Sequence, residues 1–260
     1  MGRAVAPRAA LALLALVAVS AACAPGVRQA QRLTGGHLLT SEGTSQSTVF
    51  LAPLDTGYLV VDLGWTGAAE ELVRVLESVG ATPSDVRAVL LTHAHRDHIA
   101  AWPVVADAPF YMGAAEVDLF LGRASPGGPV DGLAHQVRPA PRPKPGEVEI
   151  RPLPGDTVLV IGGDTIRTFE VPGHTPGSTA YLFRGVLFVG DALTTSAKGE
   201  IGPALSMFTG DPALARESVE RLWNRVDGLV GVRLVCTAHA HCEPYDDVRE
   251  DWNQSPPDPS

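Results

Sequence analysis

One run, Leu90-Leu91-Thr92-His93-Ala94-His95-Arg96-Asp97-His98, constrains this chain more than any other segment. It continues an aliphatic stretch, Val86 to Leu91, that reads as a buried strand, so three imidazoles and a carboxylate are delivered just past a strand end. Desolvating such groups is costly unless a metal ion or a hydrogen-bond network satisfies them. His93 and His95 stand two apart, and on extended backbone they share a face and can grip one ion. Asp97 and His98 come where the chain turns towards the next element, so they can face a second ion nearby.

Around that run the pattern alternates between strand and helix. Ser47 to Leu54 alternates, Asp55-Thr56-Gly57 is a turn, and Tyr58 to Asp62 is an apolar strand ending in Asp62-Leu63-Gly64. Ala68 to Val79 sets Leu72, Val73, Val75 and Leu76 among Glu70, Glu71 and Arg74, which predicts a helix stopped by Gly80. Further strands are expected at Glu147 to Leu153, Thr157 to Ile161, Thr165 to Val171, Ser178 to Phe183, Val186 to Val189 and Val232 to Cys236. A second helix begins at Asp211, an N-cap followed by Pro212, with Leu214, Ser218, Leu222, Val226, Val219 and Trp223 as its inward stripe. Residues 122–146, rich in Pro and Gly, read as a surface loop and a flap beside the site. Asn253 to Ser260 is polar and Pro-rich and reads as a disordered tail, leaving residues 28–252 as one domain. This order implies an α/β fold with helices packed on sheets.

Three more segments carry candidate ligands: Pro172-Gly173-His174-Thr175-Pro176-Gly177-Ser178, Phe188-Val189-Gly190-Asp191-Ala192 and Thr237-Ala238-His239-Ala240-His241. Taken singly, His174 also suits a turn and Asp191 a loop carboxylate. Taken in order with the first run and with Asp62-Leu63-Gly64, these motifs resemble the metallo-β-lactamase superfamily across most of the chain. The resemblance implies a four-layer αββα sandwich and a centre for two ions. One ion would lie on His93, His95 and His174, the other on Asp97, His98 and His239, with Asp191 between them. It also implies that Asp62 supports the ligands from behind. His239 is expected as the last ligand, at the first position past the strand, although Ala238 and Ala240 stand where the family has glycines. His241 is expected at the cavity rim or behind the ligands. His37 and His135 fall outside every motif and read as surface residues.

Imidazole and carboxylate donors suit zinc first, with iron and manganese as alternatives. Two such ions lower the pKa of a bridging water, and Asp97, as the catalytic residue, would orient the resulting hydroxide and pass a proton to the leaving group. The expectation is hydrolysis of an ester, lactam, lactone or thioester bond in a small molecule. Alternatives are a zinc β-lactamase proper, an exported metal-binding lipoprotein without turnover, and a mononuclear iron oxygenase of the same fold. Thr194 stands where the lactonase branch has Tyr, and the Gly-Cys-Gly-Arg of the glyoxalase branch is absent. No Gly-x-Ser-x-Gly elbow, phosphate loop or dinucleotide fingerprint is present, and the Thr195 to Lys198 segment lacks the Ser nucleophile of serine β-lactamases. A net charge of −9 argues against a nucleic-acid partner.

The N-terminus reads as an address. Arg3 and Arg8 precede an apolar run, Ala9 to Ala22, too short to span a bilayer and typical of an export signal. Ser20-Ala21-Ala22-Cys23 resembles a bacterial lipoprotein processing site, with residues 1–22 removed and Cys23 lipidated; cleavage after an Ala-x-Ala-like site is the alternative. The expectation is a periplasmic or otherwise extracytoplasmic protein on a lipid anchor. Cys236 and Cys242 then remain, either bridged or as two thiols.

Overall fold

The computed structural model describes residues 29–32, 38–43, 47–128, 130, 133, 137–195, 201–240 and 242–254, with side chains described from residue 47 onward. Residues 1–28, with the expected signal and Cys23, lie outside the described residues, as do His37, His135, His241 and 255–260. No helix among the described residues is long and apolar enough to cross a membrane.

Seven strands form the first sheet in sequence order: β1 (Gln29–Arg32), β2 (Leu38–Gly43), β3 (Thr48–Pro53), β4 (Tyr58–Val61), β5 (Val86–Leu90), β6 (Phe110–Gly113) and β7 (Ile150–Leu153). The first four pair antiparallel and β4 to β7 pair parallel, with helix α1 (Ala68–Ser78) crossing between β4 and β5 and the short α2 (Val117–Phe120) following β6. The second sheet, in the order β15-β14-β11-β10-β9-β8, uses β8 (Thr157–Ile161), β9 (Asp164–Glu170), β10 (Thr179–Phe183), β11 (Val186–Gly190), β14 (Leu234–Thr237) and β15 (Cys242–Pro244). A hairpin of β12 (Leu193–Thr195) and β13 (Ile201–Pro203) leads to α3 (Pro212–Val226), and α4 (Tyr245–Gln254) ends the chain.

Alternation along the strands sorts the apolar residues into three cores. On β3, Val49 and Leu51 face α1 with Leu72, Val75 and Leu76, while Phe50 and Ala52 face the other sheet. Phe50, Val61, Leu90, Ile166, Tyr181, Phe183 and Phe188 fill the space between the sheets. Val189, Leu187 and Val235 face Val219, Leu222, Trp223, Val226, Val248 and Trp252 of α3 and α4. Three cores between four layers are the αββα sandwich that the motif resemblance implied.

Several expected boundaries shift. The inward stripe of α3 starts at Ala215, not Leu214, and Ala215 is the residue that packs directly against Gly173 of the His174 turn. The strand expected from Glu147 begins at Ile150, and α4 runs through Asn253 and Gln254, which the reading assigned to the tail. The Pro-rich stretch is less of a free flap than expected. Ala140 and Val148 are buried in the first core, and Arg142 donates to the carbonyls of Leu119 and Ala94 (3.3 Å to Ala94), strapping the segment to the ligand-bearing loop.

Candidate metal centre

Every candidate ligand sits at the end of a strand or in the turn that follows it. β5 ends at Leu90, and Thr92 to His98 leave the sheet through a turn stitched at His98 N to His95 O (3.1 Å). His174 lies in the turn between β9 and β10, Asp191 follows β11, and His239 follows β14. All four strand ends open on one edge of the sandwich. Two glycines are required for the close approach. A Cβ on Gly190, at φ +55°, would lie 2.4 Å from Thr92 Oγ1, and one on Gly173, at φ +134°, would lie 2.2 Å from the Ala215 nitrogen. Ala238 and Ala240 replace family glycines without backbone strain, since among the described residues only Asp62 and Arg184 are non-glycines at positive φ.

The structure brings His93, His95, Asp97, His98, His174, Asp191 and His239 together in one cluster. Their possible ligand atoms form three overlapping groups: His93, His95 and His174; His93, His98 and Asp191; and Asp97, His98 and His239, with the atoms of each group within 4.8 Å of one another. His174 Nε2 lies 3.2 Å from His93 Nε2 and 3.0 Å from His95 Nδ1. Asp191 reaches both sides, with Oδ2 at 3.5 Å from His174 Nε2 and 3.0 Å from His239 Nε2. His239 Nε2 is 3.7 Å from Asp97 Oδ2, and His98 Nε2 is 3.6 Å from Asp191 Oδ1.

Neighbouring side chains set the histidine tautomers. Asp62, buried at the end of β4, accepts from the Thr92 amide on Oδ1 (2.8 Å) and from both Thr92 Oγ1 (2.7 Å) and His98 Nδ1 (3.0 Å) on Oδ2. With its hydroxyl proton given to Asp62, Thr92 Oγ1 can only accept from His93 Nδ1 (3.1 Å). In the same way Thr209 Oγ1 donates to the Leu205 carbonyl (2.8 Å) and accepts from His174 Nδ1 (3.3 Å). The Nε2 lone pairs of His93 and His174 are therefore turned towards each other. Two facing lone pairs repel unless a cation lies between them, and His98 Nε2 and Asp191 Oδ1 are buried side by side with no hydrogen-bond partner. The donor set fits a metal ion on both sides of Asp191.

Charge follows the same layout. Burial and the neighbouring imidazoles of His98, His95 and His174 hold His93 well below the usual histidine range, so it is neutral and ready to bind. Burial also opposes charge on His98, but the carboxylates of Asp191, Asp62 and Asp97 outweigh it and raise its pKa to about 9. Asp191 is held well below the usual carboxylate range because His239 and His98 outweigh the effect of its burial.

The sequence reading placed Asp62 behind the ligands, and its hydrogen bonds to Thr92 and His98 put it there. It missed two supports. Glu116, fully buried, accepts from the amides of Ala94 and Gly177 (both 2.8 Å) and ties the loop of His93 and His95 to the loop of His174. Thr209, on His174 Nδ1, is the other; neither residue carries a local signal, because each acts on a partner far away in sequence.

Residues 42–235 match the sequence model of the metallo-beta-lactamase superfamily. The probable polyketide biosynthesis zinc-dependent hydrolase BaeB of Bacillus velezensis is 27% identical over 147 residues, 55% of this chain and 53% of that protein. A hydroxyacylglutathione hydrolase of Xanthomonas campestris pv. campestris is 31% identical over 175 residues, 67% of this chain and 54% of that protein. The chain thus spans about half the length of both relatives. Among solved structures, the B3 metallo-beta-lactamase BLEG-1 superposes with a TM-score of 0.62 at 25% identity, covering 88% of this chain and 98% of that one.

Proposed function

This chain belongs to the metallo-β-lactamase superfamily of hydrolases, and on that footing we propose that it is a two-zinc hydrolase of a small-molecule ester, thioester, lactone or lactam. His93, His95 and His174 would hold the first ion, Asp97, His98 and His239 the second, and Asp191 would bridge them. The observation that carries this reading is Asp191, a single carboxylate within 3.5 Å of a histidine from each triad. Bound there, zinc supplies a Lewis acid for the substrate's carbonyl oxygen and a water of near-neutral pKa.

The chain's own residues do the rest. Asp97 directs Oδ2 towards His239 and His98, which leaves Oδ1 to orient the attacking water, take its proton and return it to the leaving group. Asp62 and Thr92 keep the Nδ1 protons of His98 and His93 in place, so both rings present Nε2 to the ions throughout turnover. Glu116 holds the two loops of the first triad in register.

The test joins metal analysis to a substrate panel of esters, thioesters, lactones, lactams and phosphodiesters. Two zinc equivalents per chain, with turnover that disappears on chelation and returns with zinc, is the expected result. One iron with oxygen consumption, or tightly held metal without turnover on any bond type, overturns it. We further propose that the protein is exported and anchored through a lipidated Cys23, a reading supported by the Arg-led apolar run and by a disulfide between Cys236 and Cys242, which suits an oxidising compartment. The intact mass of the membrane fraction checks it, and an unmodified Cys23 refutes it.

A further inference from the structure

Cys236 and Cys242 are register partners on β14 and β15 and form a disulfide across a sequence separation of six. His239 stands at the midpoint of that closed loop, three residues from each sulfur. Both cysteines are buried in the core between the sheets, Cys236 paired in register with Phe188 of β11, so the bridge fixes both feet of the loop to that packed core. β15 is only three residues long and forms the edge of its sheet, which makes it a weak anchor by itself. Between the feet, the Thr48 amide donates to the Ala238 carbonyl (2.7 Å) and Thr48 Oγ1 to the Ala240 carbonyl (3.0 Å), so the loop is held on either side of His239.

We propose that the Cys236–Cys242 disulfide is a positioning clamp for the second metal site, holding His239 against Asp191 and Asp97. The proposal rests on the binuclear reading above. A five-residue tip closed by a covalent bond has few conformations left to lose when an ion binds, whereas an open tip loses that freedom on binding. His93, His95 and His174 lie on other loops and are held by Thr92, Thr209 and Glu116. Opening the bridge therefore weakens one ion and spares the other.

The test compares the oxidised protein with C236A/C242A, a pair that leaves no thiol in the His239 loop to bind zinc, and with oxidised protein treated with a water-soluble phosphine. In that reaction the disulfide gains two electrons and two protons to become two thiols, and the phosphine takes the oxygen of water to become its oxide. Zinc titration followed by calorimetry, with circular dichroism of the metal-free forms, provides the readout. We expect the first equivalent to bind as in the oxidised protein and the second to weaken by about 10- to 100-fold, the range for groups that orient a metal ligand. kcat should fall at sub-saturating zinc and recover as zinc is raised. Reoxidation of the phosphine-treated protein should restore the second equivalent. Two unchanged equivalents in C236A/C242A overturn the clamp, as does equal weakening of both, which would mark the bridge as a general stabiliser. If the oxidised protein itself takes up fewer than two equivalents, it is the binuclear reading that fails.

Discussion

His93 and His239 lie at opposite ends of one cluster, yet their surroundings differ. His93 is almost fully buried, is hydrogen-bonded at Nδ1 by Thr92, and shares its triad with two other buried imidazoles from two loops that Glu116 joins. His239 and Asp97 have side chains 23% and 18% exposed, and their triad combines a turn with a hairpin tip. The first triad is thus preorganised in a dry setting, where His93 is held neutral and the lone pairs of His93 and His174 converge. The second opens to solvent, and its one deeply buried member, His98, holds a proton that an entering ion must displace. On the two-ion proposal, a site built this way is expected to fill in order, with a tighter ion on the buried triad and a weaker, more pH-dependent ion on the side open to solvent.

Deleting one ligand from each half should break the comparison most visibly. His174→Ala is expected to abolish the first ion and nearly all hydrolysis, a loss beyond the roughly 100-fold that removal of an outer support causes. His239→Ala should lose one of two equivalents and most of the turnover while the remaining ion keeps its affinity. Metal content by atomic emission and initial rates on the same samples decide it. If His239→Ala loses both ions, the halves are not independent.

A smaller effect is expected from Asp62→Asn, and it should be shared between the halves. The amide offers one acceptor atom where two oxygens now take three hydrogen bonds, so its NH2 must face either the Thr92 amide or the pair Thr92 Oγ1 and His98 Nδ1, and the arrangement that holds Thr92 and His98 is broken. Affinity should fall by about 10- to 100-fold for both ions, since His98 is oriented directly and His93 through Thr92. Thr209→Val, which removes a hydroxyl that touches His174 and none of the other candidate ligands, should weaken only the first. Competition against a zinc-binding dye separates the two constants, and a loss at one site in Asp62→Asn would show that the coupling through Thr92 does not operate.

Much of this was legible in the chain itself because the candidate ligands are local. His93, His95, Asp97 and His98 sit within six residues after an aliphatic strand, and strand ends are where a sandwich places its chemistry. Asp191 and His174 follow the same rule in the second sheet. What the sequence could not show depends on tertiary distance. Glu116 reaches amides 22 and 61 residues away, and no pattern in the residues around it distinguishes it from a solvated carboxylate. The Pro-rich segment looked mobile because its composition excludes regular structure, but Arg142 and Ala140 bind it to the core through contacts that composition does not encode. The Cys236–Cys242 pair was open between bridge and thiols until β15 appeared, a three-residue edge strand too short to read from periodicity.

The smallest expected effect concerns the metal-free protein and follows from the opposite shifts of His98 and His93. His98 rises from an ordinary value of 6.5 to about 9 in the folded chain, so its contribution to stability is complete below pH 6.5 and is lost as pH rises through about 9. His93 is held below 6.5, so the native state resists its protonation and stability falls on the acid side instead. Chelated protein should therefore melt highest near pH 6.5 and lose a few degrees by pH 9.5, given that about 1 kcal/mol moves Tm by roughly 2–4 °C in a domain of this size. Zinc should erase the alkaline decline, because the ion replaces the proton between His98 and Asp191 and binds more strongly as that proton becomes easier to remove. His98→Gln should flatten the alkaline limb in the chelated protein while leaving the acid limb in place. A chelated wild-type Tm that is level or rising between pH 6.5 and 9.5 would mean that His98 does not hold the proton, and the proposed order of filling would lose its electrostatic basis.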